Sequence, residues 1–311
     1  MSDIWAKIVA FFMSIAAFFA GLFPVRDSKI VTAPANITFQ SQTLELGAEE
    51  PFRFLHLSDT HLTLADSRDG RRKVSLAEKR SGEFPWAQAN LQAAMEKAEE
   101  LDCFIVHTGD LIDFVSKKNL EAAKDFTDRF DVIMTAGNHE FSLYVGEAKE
   151  DAAYRNKSLD QVQAAFKNDI RFYSRKVNGV NLVCIDNGYY LIEQWQLDKL
   201  KEELALGMPT ILFLHTPLYA EDLYHYVVTE PGTPAYLMSV PEEKMKDYPK
   251  DRYDQQKQDG ITAQAYELIT TAPNIKAIFA GHMHIDFVSM LTPTLPQYIT
   301  SCTTGRIVTV R

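Results

Sequence analysis

Three cysteines in 311 residues, Cys103, Cys184 and Cys302, lie far apart with no C-x-x-C spacing, which excludes a disulfide framework and a zinc knuckle. Glycine and proline, at 14 and 13, are not enriched, and collagen-like or low-complexity chains are excluded with them. Apolar content is not low either: at 46% hydrophobic residues the chain is neither disordered nor a coiled coil. Positive charge is the scarcer sign, with 32 basic side chains against 42 acidic ones and a net charge of −10. That balance argues against unaided binding to nucleic acid or anionic lipid. What remains is an ordinary globular chain, long enough for one large domain or two small ones. No repeat and no linker interrupts residues 25–311, so a single domain is expected there.

Long, densely apolar runs are also rare, and the most apolar one stands at the start. Ile8 to Phe23 carry no charge, between Lys7 and Arg26. As a helix this run is roughly 24 Å long, short of the ~20 residues of a membrane span. Ile4, Ile8, Phe11, Phe12, Ile15, Phe18, Phe19 and Leu22 recur at helical spacing, with Lys7, Ala10, Ser14, Ala17 and Gly21 opposite. Residues 1–24 are therefore expected to form a hydrophobic helix. It acts as a membrane anchor through residues 4–23, as an export signal, or as a helix packed on its own domain or a second subunit. Basic residues at both ends set no orientation. The expected location is membrane-associated or exported.

Beyond Pro24, strand-like and helix-like runs alternate. Strands are expected at Phe52–Leu57, Cys103–Val106, Val132–Met134, Thr210–Leu214 and Ile275–Phe279. Helices are expected at Trp86–Leu101, Leu120–Phe130 and Glu193–Leu206, the last closed by Gly207. Ser158-Leu159-Asp160-Gln161 has the form of a capping box that opens another helix. Asn178-Gly179 joins Phe172–Val177 to Val180–Ile185 as a hairpin, and Ile285–Val310 reads as several short strands. The mixture of alternation and hairpins implies an α+β or mixed α/β fold, mixed sheets with helices on their outer faces. Residues 216–260 form a loop-like insertion rich in tyrosine, expected to be an ordered lid or a shield over the core edge.

The informative residues follow the strands. Five apolar runs are each succeeded at once by Asp, Asn or His: Asp59-Thr60-His61, Gly109-Asp110 to Asp113, Gly137-Asn138-His139-Glu140, His215, and Gly281-His282-Met283-His284. Ligands collect at the carboxyl ends of strands in such sheets. Imidazole, carboxylate and amide oxygen without thiolate suit Mn, Fe, Ni or Zn better than a structural zinc. If Asp59 and His61 sit on extended backbone, their side chains share a face, as do those of His282 and His284. Glycines before Asp110, Asn138 and His282 allow unusual dihedrals and close backbone approach. His56 and His107, inside the strands, read as hydrogen-bonded core histidines, and His225 as exposed. Arg68 and Arg71-Arg72-Lys73 read as a solvated charge run, Glu140 as a brace of its loop, and Asp186-Asn187-Gly188 as a turn.

In this order, D-x-H, G-D-x-x-D, G-N-H-E, a lone His and G-H-x-H, the chain resembles the calcineurin-like metallophosphoesterases from about Phe52 to the C terminus. The resemblance implies a four-layer fold, two packed mixed β-sheets flanked by helices, and a di-metal phosphoesterase. Asp59, His61 and His284 would hold one ion and Asn138, His215 and His282 the other, with Asp110 bridging. The two ions, divalent or trivalent and drawn from Mn, Fe, Zn and Ni with Mn or Fe favoured, would share a hydroxide that attacks phosphorus. His139 would give a proton to the leaving oxygen or stabilise phosphoryl charge, and Asp113 would keep it charged. Phe114-Val115 replaces the Arg-Gly of phosphoprotein phosphatases, and Asp113 replaces the tyrosine of purple acid phosphatases. The run Leu55–Leu62 resembles small-molecule phosphodiesterases of the class III cyclic-nucleotide type. The implied substrate is a small phosphoester, a nucleotide or a lipid-linked phosphate or pyrophosphate, and nucleic acid is not expected. The alternative is a non-catalytic scaffold that binds a protein. Such relatives lose the G-N-H histidine or several ligands, and none is missing here.

Overall fold

In the computed structural model, which describes residues 27–142 and 152–311, the chain's first described strand pairs with its last. The apolar segment 4–23, with the expectations attached to it, lies outside those residues. Among the described residues no helix is long and apolar enough to cross a membrane.

Among the described residues, eleven strands form two sheets. The first has the order β1 (Thr38–Leu44), β11 (Thr304–Val310), β2 (Phe52–Leu57), β3 (Phe104–His107), β4 (Val132–Met134). The second has β5 (Phe172–Val177), β6 (Val180–Ile185), β7 (Thr210–Leu214), β8 (Ile275–Ala280), β10 (Leu295–Ile299), β9 (Phe287–Thr292). Both are mixed. β2, β3 and β4 run parallel beside antiparallel β11, and β6, β7, β8 and β10 run parallel between antiparallel β5 and β9. The Asn178-Gly179 hairpin forms as expected, with Asn178 and Gly179 both at positive φ.

Strand periodicity sorts the core into layers. Along β2, Phe54 and His56 face the second sheet while Leu55 and Leu57 face helices. Between the sheets Phe54 meets Phe213 and Phe279 edge-on at 5.5 and 5.6 Å, and Phe279 stacks on Tyr298 at 4.9 Å. Each such buried aromatic stabilises the sandwich by roughly 1.5–3 kcal/mol. Outside the first sheet lie the helices Ala87–Leu101 and Lys117–Arg129, and outside the second Gln194–Leu204 and Gly260–Thr271. The layers are helix, sheet, sheet, helix.

Three local readings change. Ser158 does not cap the helix Leu159–Gln163: its backbone is helical rather than extended, so its hydroxyl turns away and donates to the Phe141 carbonyl at 3.1 Å. The charge run after Asp69 is a helix, Gly70–Arg80, whose Val74 and Ala77 are buried. The tyrosine-rich stretch holds three short helices, Glu221–Val227, Glu242–Met245 and Lys250–Gln256, around a small core of Leu223, Leu237, Val240, Met245 and Tyr248.

Candidate metal centre

The five strand ends meet at one edge of the sandwich. β2, β3 and β4 of the first sheet deliver Asp59 and His61, Asp110, and Asn138 and His139; β7 and β8 of the second deliver His215, and His282 and His284. All of these lie just past their strands. Asp59, His61, Asp110, His282 and His284 have φ of 55°, 52°, 55°, 66° and 52°. The D-x-H and H-x-H pairs therefore do not stand on extended backbone, and left-handed turns aim their side chains inward instead. Such conformations are sterically costly for non-glycine residues and cluster at functional sites. The motif glycines divide accordingly. Gly109 combines φ +97° with close approach, a Cβ there standing 2.4 Å from Gly137 N, whereas Gly137 and Gly281 serve close approach alone: a Cβ on Gly137 would stand 2.2 Å from Asp110 Oδ1, and one on Gly281 1.7 Å from Ser58 Oγ.

Each carboxylate spends one oxygen on the scaffold. Asp59 Oδ2 accepts the His282 N–H at 2.8 Å across the two sheets, and Asp110 Oδ1 accepts the His139 N–H at 2.8 Å. The second oxygens point into the centre. Asp110 Oδ2 lies 3.2 Å from His215 Nε2 and 3.8 Å from His61 Nε2; Asp59 Oδ1 lies 3.4 Å from His284 Nε2 and 3.9 Å from His61 Nε2. Asn138 Oδ1 stands 3.2 Å from His215 Nε2. Asp110 thus faces both groups of donors.

The outer nitrogens are tied down, which selects the inner ones. His61 Nδ1 donates to Asp113 Oδ1 at 2.9 Å and His215 Nδ1 to the Thr108 carbonyl at 2.7 Å, so each ring presents Nε2 inward. His282 turns the other way, with Nε2 on the Tyr190 hydroxyl at 2.9 Å and Nδ1 inward, 3.2 Å from His215 Nε2. His139 Nδ1 donates to the Asp113 carbonyl at 2.7 Å, with the Asp113 carboxylate at 3.4 Å. That carboxylate is gripped by Arg80 through two bonds of 2.7 Å, and Phe84 lies flat on His61 at 4.2 Å.

The donors fit a pair of cations. Asp59 Oδ1 is buried with no hydrogen-bond partner among the described residues. The inward nitrogens of His61 and His284 face one another at 3.0 Å, a spacing that suits shared coordination at roughly 2.0–2.2 Å. Electrostatics agree. Burial works against charge on His215, yet Asp110 and Asp59 push its pKa up to about 10, so the site draws in positive charge. Burial likewise opposes charge on His139, but Asp110 and Asp113 hold its pKa above the ordinary value. A proton and a metal ion compete for the same lone pairs. Asp59, His61, Asp110 and His215 are buried, whereas Asn138, His139 and His282 are partly exposed and His284 is exposed, so the centre opens on that side.

The surrounding residues divide clearly. Glu140 accepts four backbone N–H groups, from Asp110, Leu111, Ile112 and Gly137, at 2.7 to 3.2 Å, and so braces the Asp110 loop. His56 bonds Thr300 and Thr108, and His107 bonds Thr60, as satisfied core histidines. His225 is exposed and pairs with Glu221. Arg68 pairs with Asp66 and Glu121 at the surface, and Lys73 donates to the Val115 carbonyl. Sequence reading missed Arg80, Phe84, Asn187 and Tyr190. Each acts across a long separation and carries no motif, although Asn187, two residues past the end of β6, shared the strand-end signal.

The family model for calcineurin-like phosphoesterases matches residues 52–286. Among solved structures, a dimetal phosphatase from Danio rerio is similar at 13% identity and a TM-score of 0.45, over 82% of this chain and 89% of that one. The protein TT1561 of Thermus thermophilus is similar at 11% identity and a TM-score of 0.43, over 82% and 91%. A putative 5'-nucleotidase from Staphylococcus aureus is similar at 12% identity and a TM-score of 0.42, over 82% of this chain and 49% of that one, so the chain spans about half its length. No curated protein matches the sequence.

Proposed function

The chain belongs to the calcineurin-like phosphoesterase family and is a metal-dependent phosphoester hydrolase; on that premise we propose that it is a phosphodiesterase for a small molecule, a nucleotide or a lipid-linked phosphate or pyrophosphate. Asp59, His61, Asp110 and His284 would hold one ion, and Asp110, Asn138, His215 and His282 the other. The observation that carries the pairing is Asp110 Oδ2 between His215 Nε2 at 3.2 Å and His61 Nε2 at 3.8 Å. Bound ions of this kind supply Lewis acidity toward phosphoryl oxygens and bring the pKa of water to neutrality.

The chain supplies position and protons. With its Nδ1 proton committed to the Asp113 carbonyl, a charged His139 carries its transferable proton on Nε2. That proton passes to the leaving oxygen as the phosphoester bond breaks. Asp113 is a positioning residue twice over, through its carbonyl to His139 and its carboxylate to His61. The Tyr236 ring, 6.3 Å from His282 and under the Arg252 guanidinium at 5.2 Å, is an aromatic surface beside the centre suited to a base or another flat group. The net charge of −10 disfavours a long polyanion.

The test is hydrolysis by the full chain with added Mn²⁺. Bis-p-nitrophenyl phosphate should be cleaved faster than p-nitrophenyl phosphate, and a cyclic nucleotide, a nucleoside diphosphate sugar and a phospholipid headgroup narrow the class. Faster cleavage of the monoester would overturn the diesterase assignment. We also take residues 25–311 as one domain and residues 4–23 as a membrane-associating segment. Equal detergent-free solubility of the full chain and a chain starting at Ser28 would remove the second proposal.

A further inference from the structure

We propose that residues 187–190, the turn after β6, contribute no ligand but set the affinity of the second ion, the one assigned to Asn138, His215 and His282. This rests on the two-ion reading above. The turn touches all three of those residues. Asn187 Oδ1 accepts the backbone N–H of His215 at 3.0 Å and of Thr216 at 2.9 Å, while its Nδ2 donates to the Thr216 carbonyl at 2.7 Å. One side chain thereby fixes the peptide that presents His215. Gly188 lies against the Asn138 loop so closely that a Cβ there would stand 2.8 Å from Gly137 C and 2.9 Å from Asn138 N. Tyr190 places its hydroxyl 2.9 Å from His282 Nε2, which selects Nδ1 as the inward donor.

The turn is built to hold that geometry. Tyr190 is buried at φ 66°, a conformation an unconstrained tyrosine avoids, and its N–H closes the turn on the Asn187 carbonyl at 2.8 Å. Behind it, Gln196 donates to the Asp186 carbonyl at 2.8 Å and Arg171 to the Asp186 carboxylate at 3.0 Å. The first ion's residues have other supports: Asp59 N–H on the Gly109 carbonyl, and His61 on Asp113 and Phe84. Groups that orient a metal-bound histidine typically change affinity about 10–100-fold when removed.

Tyr190→Phe deletes the hydroxyl and keeps ring and backbone. Calorimetric titration of metal-stripped full chain with Mn²⁺ should give two ions for the parent protein and a loss of about 10–100-fold in affinity for one of them in Tyr190→Phe. The same loss should appear in a His61→Ala/His284→Ala background, where the remaining ion is the second, and vanish in a His282→Ala background. Asn187→Ala should weaken the same ion, with the metal-free thermal midpoint of Tyr190→Phe unchanged. An unaltered titration, or weakening that persists without His282, overturns the proposal alone. A parent protein that binds fewer than two ions overturns the two-ion reading and this proposal with it.

Discussion

The two halves of the candidate centre are braced by different physics. Around Asp59, His61 and His284 the support is ionic and aromatic: Arg80 grips Asp113, Asp113 grips His61, and Phe84 covers the imidazole face. Around Asn138, His215 and His282 it is neutral: the Thr108 carbonyl, the Asn187 amide and the Tyr190 hydroxyl. A carboxylate behind an imidazole raises its basicity more than a carbonyl or hydroxyl does. The first half should therefore bind its ion more tightly and surrender it later to a chelator.

The largest effect should come from the residue common to both halves. Asp110→Ala should lower kcat/KM on bis-p-nitrophenyl phosphate by more than about 10³-fold and abolish paired binding, read by metal analysis of the purified protein. A variant that keeps two ions would break the assignment of Asp110 as the bridge. His139→Ala belongs to neither half as a ligand. It should cut kcat by about 10²–10⁴-fold with two ions still bound, so loss of metal along with activity would move His139 into the coordination set.

Asp113→Asn tests the contrast itself. Removing the charge behind His61 should weaken the first ion by about 10–100-fold and leave the second near its original affinity. Equal weakening of both would dissolve the distinction. The smallest effect is expected one layer behind the second half, where Glu193 pairs with Arg171 and bonds Trp195. Partial burial raises the Glu193 pKa, but those partners outweigh it and hold the carboxyl below its ordinary value. A depressed pKa means stability present above the unfolded value, about 4.3, and lost as pH falls through the folded one. Glu193→Gln should cost no more than about 1 kcal/mol at pH 7, because the group is partly exposed, and the difference should be smaller at about pH 3 than at pH 7. Urea melts at both pH values measure it; a gap that persists undiminished in acid would assign the effect to packing.

Much of the candidate centre was legible because its candidate ligands declare themselves locally. An apolar run of four to six residues followed by Asp, Asn or His marks a strand end that offers a donor, and β2, β3, β7 and β8 followed that pattern in the structure. The braces were hidden for the opposite reason. Arg80 sits in a helix that reads as a solvated charge run, and it meets Asp113 from 33 residues away. Tyr190 meets His282 from 92 residues away. Nothing near either residue distinguishes such a contact from an ordinary surface arginine or core tyrosine. The Ser158 cap failed similarly, since a contact with Phe141, 17 residues earlier, replaced a local one.

By itself the sequence determined the candidate donors, their order along the chain and their placement after strands, because coordination chemistry resides in side-chain type and strand formation in short-range periodicity. Only the tertiary structure decided which oxygen and which nitrogen face the centre. Asp59 frees Oδ1 because Oδ2 is taken by the His282 N–H, 223 residues on, and His282 turns Nδ1 inward because Tyr190 holds Nε2. Orientation of that kind is set by bonds between distant segments, and it exists only once the two sheets have packed.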